Sequence, residues 1–313
     1  MGFSMPKETY TGAIKEITIG KGAKAVTVGG ETAYPFYTFE GKAPHKPAIA
    51  MNVVDVKPTD WAATLVAAIG EELMGDPAAW AKAYVEKYAP DLIYLELVST
   101  DPNGGNAPAE QAVATVKKVL AAIDVPLIVW GAGNEKKDAE VLRAVMEGVQ
   151  DRQLLVGPVV EGNYKQLGAG AIGFGHKVIA STPIDINLSK QLNILLGNLG
   201  VPADSIVVDP TTGGLGYGLE YSYSVIERAR MAALVQQDDK LQYPMLCNIG
   251  REVWKTKEAK AGPEMPELGD PAKRGVAMEC LTAATLLLAG GDILVLRHPE
   301  SVKLVRQYID SLL

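Results

Sequence analysis

From residue 47 onward, short apolar runs alternate with segments long enough to be helices, and this alternation constrains the fold more tightly than any single motif. The runs fall at 48–54, 92–98, 127–130, 154–157, 177–182, 205–209, 245–249 and 293–296. Each is nearly all apolar instead of alternating, as expected of a strand covered on both faces. Helical patterns between and after them are predicted at 61–69, 77–88, 108–123, 135–146, 164–171, 186–199, 219–235, 273–289 and 299–313, with Asp76 as N-cap before Pro77. Strands buried on both faces need helical crossovers, so the sheet is parallel. About eight such units close into a (β/α)8 TIM barrel, whose sites lie at the C-terminal ends of the strands. An open doubly wound sheet is the alternative, but it carries fewer units and a reversal of strand order.

Residues 1–46 follow a different rule. Ala13 to Ile19 alternate apolar and polar, Gly20-Lys21-Gly22 supplies a turn, and Ala25 to Val28 follow, which is a hairpin signal. Tyr34, Phe36, Tyr37 and Phe39 cluster just after it. The expected organisation is an N-terminal β-hairpin extension over 1–46, packed as a plug on one end of a barrel spanning 47–313. A partner-binding role for the aromatics is the less favoured reading.

Composition narrows the function. The chain has 313 residues and a net charge of −7 without a basic run, which argues against nucleic acid and anionic membrane surfaces as partners. The longest apolar stretch, 281–289, is too short to span a bilayer, and no secretory leader is recognisable. The expectation is a cytoplasmic protein. Two isolated cysteines, Cys247 and Cys280, cannot supply the ligands of an iron–sulfur cluster or a paired zinc site.

The strand ends carry Asn52, Asp55, Glu96, Ser99, Asp101, Trp130, Asn134, Glu161, Thr182, Asp209, Asn248, Arg251, Arg297 and His298. That set is rich in amides and hydroxyls and poor in nucleophiles, so no catalytic residue and no metal site is assigned. Its most distinctive part follows the sixth strand. Asp209-Pro210-Thr211-Thr212-Gly213-Gly214-Leu215-Gly216-Tyr217-Gly218-Leu219-Glu220-Tyr221 holds four glycines in six positions between a strand and a helix. Glycines there let a ligand or another backbone approach closely. The spacing is neither G-x-x-x-x-G-K-[ST] nor G-x-G-x-x-G, so neither nucleotide fingerprint applies. A long loop at 254–270 is either a lid or docking loop, or plain solvated surface.

On that glycine segment, together with 94–102 and 48–55, the chain resembles the small subunit of the corrinoid iron–sulfur protein, the delta subunit of acetyl-CoA decarbonylase/synthase. The resemblance implies a barrel paired with a large subunit that carries the iron–sulfur cluster, with a corrinoid (cobalamin) held between them. It further implies methyl transfer from methyltetrahydrofolate, through a separate methyltransferase, to acetyl-CoA synthase in the anaerobic Wood–Ljungdahl route of carbon fixation. Cofactor-binding residues expected on this basis are Asp209, Thr211, Thr212, Gly213 and Gly214, with Thr182 and Asn248 added from their strand-end positions. The competing expectation is a pterin-binding barrel that acts directly on methyltetrahydrofolate, using Asp209 and Asn248.

Overall fold

A computed structural model describes residues 4–313. Two antiparallel strands, β1 (Ile17–Ile19) and β2 (Val26–Val28), precede eight parallel ones. These are β3 (Ala48–Val54), β4 (Leu92–Glu96), β5 (Leu127–Trp130), β6 (Leu155–Val159), β7 (Lys177–Ser181), β8 (Ile206–Asp209), β9 (Leu246–Asn248) and β10 (Ile293–Leu296). They run side by side in the order β8-β7-β6-β5-β4-β3-β10-β9. The Val208 amide then donates to the Pro244 carbonyl at 2.9 Å, and Val208 bridges Met245, joining the first strand of the row to the last. The barrel predicted from the alternation is therefore present.

The helices are α1 (Ala63–Ile69), α2 (Pro77–Tyr88), α3 (Ala109–Ala122), α4 (Glu135–Gly148), α5 (Tyr164–Phe174), α6 (Ile186–Leu199), α7 (Leu219–Leu234), α8 (Ile249–Trp254), α9 (Lys257–Lys260), α10 (Pro271–Ala289) and α11 (Pro299–Leu312). Several begin where the sequence places a cap. Asp76 accepts from the Ala78 amide ahead of Pro77, and Asp185 accepts from the Asn187 amide.

Strand periodicity divides the core into two sets, because alternate side chains point to opposite faces. Ile49, Met51, Val53, Ile93 and Leu95 pack outward against the helices. Ala48, Ala50, Leu92, Tyr94, Ile128, Trp130, Leu155, Ile179, Val207, Leu246, Ile293 and Val295 fill the interior. Ile17, Ile19 and Val28 of the hairpin belong to this interior group, and Gly20 sits against Pro126 just before β5. The hairpin thus lies over the N-terminal ends of the strands, leaving the C-terminal ends open as a mouth.

The segment expected to be a long loop is more ordered than its sequence indicates. The seventh barrel strand stops at Asn248, and α8 starts at the next residue. Thr256 caps the single turn of α9 by accepting from the Ala259 amide. Buried Arg274 then donates to the carbonyls of Ala261, Met265 and Gly269, tying the remaining loop to α10. One arginine reaching three carbonyls from a later helix leaves no local sequence signature.

Candidate functional site at the barrel mouth

Continuing six of the interior rows by one more inward-facing position, two residues on, gives Asn52, Glu96, Ser181, Asp209, Asn248 and Arg297. All but half-buried Ser181 are buried polar groups. The mouth is therefore the point at which the interior stripe changes from apolar to polar. Thr182 falls on the opposite parity and lines a cavity of about 360 Å³ beside α6, with Leu188, Leu192 and Glu161 among its other walls.

On the β7–β8 side the glycine segment forms an arm. Asp209 accepts from the Ser181 hydroxyl at 2.8 Å and from the Thr211 amide at 3.0 Å. Burial pushes its carboxyl up to about 6, while those two hydrogen bonds and the positive charge of Arg251 pull the other way. Thr211 sits at φ 64 and donates its hydroxyl to the Thr182 carbonyl at 2.6 Å. Ser222, in the first turn of α7, donates to the Thr211 carbonyl and accepts from the Gly213 amide. Gly214 then bridges Tyr217 and Gly218, so the chain doubles back on itself, and Tyr217 at the turn is 91% exposed.

The two central glycines of this arm do different jobs. A Cβ on Gly213 would lie 2.4 Å from the Gly218 carbonyl oxygen, so that position is filled by the arm's own backbone. A Cβ on Gly214 would meet nothing closer than the Tyr217 carbonyl at 3.9 Å. Of the pair, only Gly214 has room beside its backbone for another group.

Three of the predicted residues carry a buried side-chain atom without a hydrogen-bond partner among the described residues: Thr182 Oγ1, Thr212 Oγ1 and Asn248 Oδ1. Unpaired buried polar atoms are uncommon and costly, and a bound molecule is one way to satisfy them. Asn248 is fixed by its other end, since its amide donates to the Tyr94 hydroxyl at 2.7 Å. Asp209, Thr211 and Gly213 have their polar atoms engaged within the arm, so they shape it. The predicted residues thus fall into an arm around Asp209, the Thr182 cavity wall beside it, and Asn248, which belongs to the barrel interior.

The opposite side of the mouth holds a cluster that the sequence-based assignment passed over. Glu96, 4% exposed, lies 3.3 Å from Arg297 through one oxygen and 3.3 Å from Arg251 through the other. Arg297 also donates Nε–H to Asn52 at 2.6 Å and stacks 4.4 Å from the centre of the Trp61 ring. Parity was the available signal, because Arg297 follows Ile293 and Val295 at intervals of two, as Glu96 follows Leu92 and Tyr94. His298 serves α11 instead, accepting from the Glu300 amide while its ring stacks on Trp254 at 5.6 Å.

Among the described residues, no group of three or more histidine, cysteine or acidic side chains is placed to hold a metal. Nor is any described helix long and apolar enough to cross a membrane. Cys247 is buried, and burial drives its thiol well above the ordinary range.

A parallel (β/α)8 barrel plugged at one end and lined with polar groups at the other defines a class of proteins that receive ligands at the strand C-termini. Solved structures share this architecture. Dihydropteroate synthase of Coxiella burnetii superposes with a TM-score of 0.59 at 11% identity, covering 95% of this chain and 98% of that one. The Thermus thermophilus dihydropteroate synthase gives 0.56 at 16% identity, covering 89% and 97%. At such identities the likeness establishes the fold alone.

The sequence profile of the CO dehydrogenase/acetyl-CoA synthase delta subunit matches residues 16–307, and the chain belongs to that family. Acetyl-CoA decarbonylase/synthase complex subunit delta of Archaeoglobus fulgidus is 37% identical over 99% of this chain and 71% of its own length. Subunit delta 1 of Methanosarcina thermophila is 36% identical over 97% and 71%.

Proposed function

We propose that the chain acts as the small subunit of a corrinoid iron–sulfur methyl carrier in an acetyl-CoA decarbonylase/synthase assembly, with its barrel mouth capping a corrinoid held by a large subunit. The observation that carries this reading is the arm from Thr211 to Gly218. It is held by its own hydrogen bonds, leaves the Gly214 backbone uncovered and presents Tyr217 to solvent. A broad flat ring with amide-bearing edges needs such an uncovered backbone face together with scattered hydrogen-bonding groups.

The residues fit that ring. Gly214 supplies the close approach, while Thr182 Oγ1, Thr212 Oγ1 and Asn248 Oδ1 are polar atoms with no hydrogen-bond partner among the described residues. When bound, the corrinoid supplies the cobalt that carries the methyl group. The chain's own residues orient and shield. Asp209 and Thr211 set the arm's path, Gly213 lets it fold back, and Tyr94 fixes the Asn248 amide. The iron–sulfur cluster belongs to the large subunit in this reading, in keeping with the two isolated cysteines here. The methyltetrahydrofolate methyltransferase and acetyl-CoA synthase are the transient partners on either side of the transfer.

Gly214→Val tests the cap, because its Cβ meets only ordinary contact with the Tyr217 carbonyl while adding bulk to the face. Cobalt per heterodimer after gel filtration of the complex with its large subunit is expected to fall well below the wild-type value. Full retention would count against capping.

The competing role, a barrel that binds methyltetrahydrofolate directly, is favoured by one feature. Asn248 Oδ1 is unpaired among the described residues, on a fold shared with dihydropteroate synthases. Saturable binding of methyltetrahydrofolate by the chain alone, lost in Asn248→Ala, would shift the balance to it.

A further inference from the structure

The β3–β4–β10 side of the mouth opens into a second cavity, of about 300 Å³, lined by Trp61, Lys57, Glu96, Arg251, Lys255 and Arg297 among others. Its charges are unequally matched. Lys57 pairs with Glu71 at 2.7 Å, and Lys255 pairs with Glu252. Asp60, also on the wall, is met by Lys260 at 3.4 Å. That leaves two guanidinium groups on one carboxylate, Glu96, each touching a different oxygen.

The nearby acidic groups are committed elsewhere. Glu279 accepts from the backbone amides of Arg297 and His298, and Asp209 from Ser181 and Thr211. Arg297 is held on three sides, by Asn52, by Glu96 and by the Trp61 ring, and it is 6% exposed. Among the described residues Arg251 has no acceptor besides Glu96, and it is half-exposed at the cavity wall. A guanidinium carries five N–H donors in a rigid plane, so this pair retains donors that no acceptor among the described residues meets.

We propose that Arg251 and Arg297 form an oxyanion site at the barrel mouth, which takes a phosphate or carboxylate group of a ligand entering from the C-terminal end of the strands. Two forks brought together by one shared carboxylate gather several N–H donors at one wall, and the planar fork is what favours arginine over lysine for bidentate oxyanion binding. Trp61 fixes the Arg297 plane from one face, so little side-chain freedom remains to be lost when the anion arrives. The site needs no corrinoid, so failure of the Gly214→Val experiment leaves it standing, and its own failure leaves the cap standing.

The test is calorimetric titration of the full chain with inorganic phosphate and, separately, with glutarate, at constant ionic strength set with sodium chloride. Saturable binding of either probe is expected, the preferred one showing whether a phosphate or a carboxylate is the natural group. Arg251→Gln should weaken it about tenfold or more, the scale of one lost charge-assisted contact. Arg251→Lys keeps the charge without the fork and should also weaken binding, so the test survives if the glutamine variant folds poorly. Lys57→Gln should leave affinity within about twofold. No saturable binding of either probe would overturn the site. So would equal losses in Lys57→Gln and Arg251→Gln, which would indicate a diffuse positive field instead of a site.

Discussion

Across the mouth, the half formed by β7 and β8 is shaped by neutral contacts between hydroxyls, amides and backbone around a single buried carboxyl. The half formed by β3, β4 and β10 is built on charge, with Glu96 and Arg297 both buried. The contrast shows two ways to preorganise a binding surface. The arm spends its polar atoms on its own backbone and leaves a bare glycine face. The ionic side holds guanidinium groups in place through one carboxylate, one amide and one aromatic ring. The first suits a large uncharged surface and the second a small concentrated charge.

The largest effect should come from breaking the charged half. Arg297→Ala leaves Glu96 buried beside a half-exposed Arg251 and strands the Asn52 carbonyl, so a loss of roughly 3–5 kcal/mol in urea unfolding is expected. A loss below about 1 kcal/mol would mean that Arg251 alone neutralises Glu96, and the two halves would be less different than their contacts indicate.

Next in size is a pH effect on the neutral half. The Asp209 carboxyl titrates near 3.8 in the unfolded chain and at about 6 in the folded one. The folded state therefore binds the extra proton between those values. Stability from this group is fully present below about pH 4 and is lost as pH rises through 6, on the order of 3 kcal/mol in all. Urea unfolding of wild type and Asp209→Asn from pH 4 to 7 checks this. The stability of wild type relative to the variant should decline with rising pH; a flat difference would place the carboxyl in a more solvated setting.

The smallest effects separate the two glycines. Gly213→Ala drives a Cβ against the Gly218 carbonyl and should cost about 1–3 kcal/mol. Gly214→Ala meets only ordinary contact and should stay within about 0.5 kcal/mol. Equal losses at both positions would blur the distinction between arm-building and arm-facing glycine.

Much of this was legible before any coordinates. Apolar runs separated by helical patterns define the barrel, Asp76-Pro77 marks a helix start, and the hairpin is visible in the alternation from Ala13 to Val28. Other features were not. Gly213 and Gly214 are indistinguishable in sequence, because what separates them is the Gly218 carbonyl brought back by the turn. Neither was the order in 249–270, which depends on Arg274 reaching back from α10. Arg297 and Glu96 appear in sequence only as charges at strand ends.

By itself, then, the sequence determined which strands form and, through their period of two, which residues reach the mouth. What each of those residues touches was decided by ring closure. Leu296 lies opposite Met51 and Val54 opposite Glu96, and this register brings Arg297 to Asn52 and to a carboxylate 201 residues away. Burial makes that pairing obligatory, because a charge removed from water must find its partner within the fold.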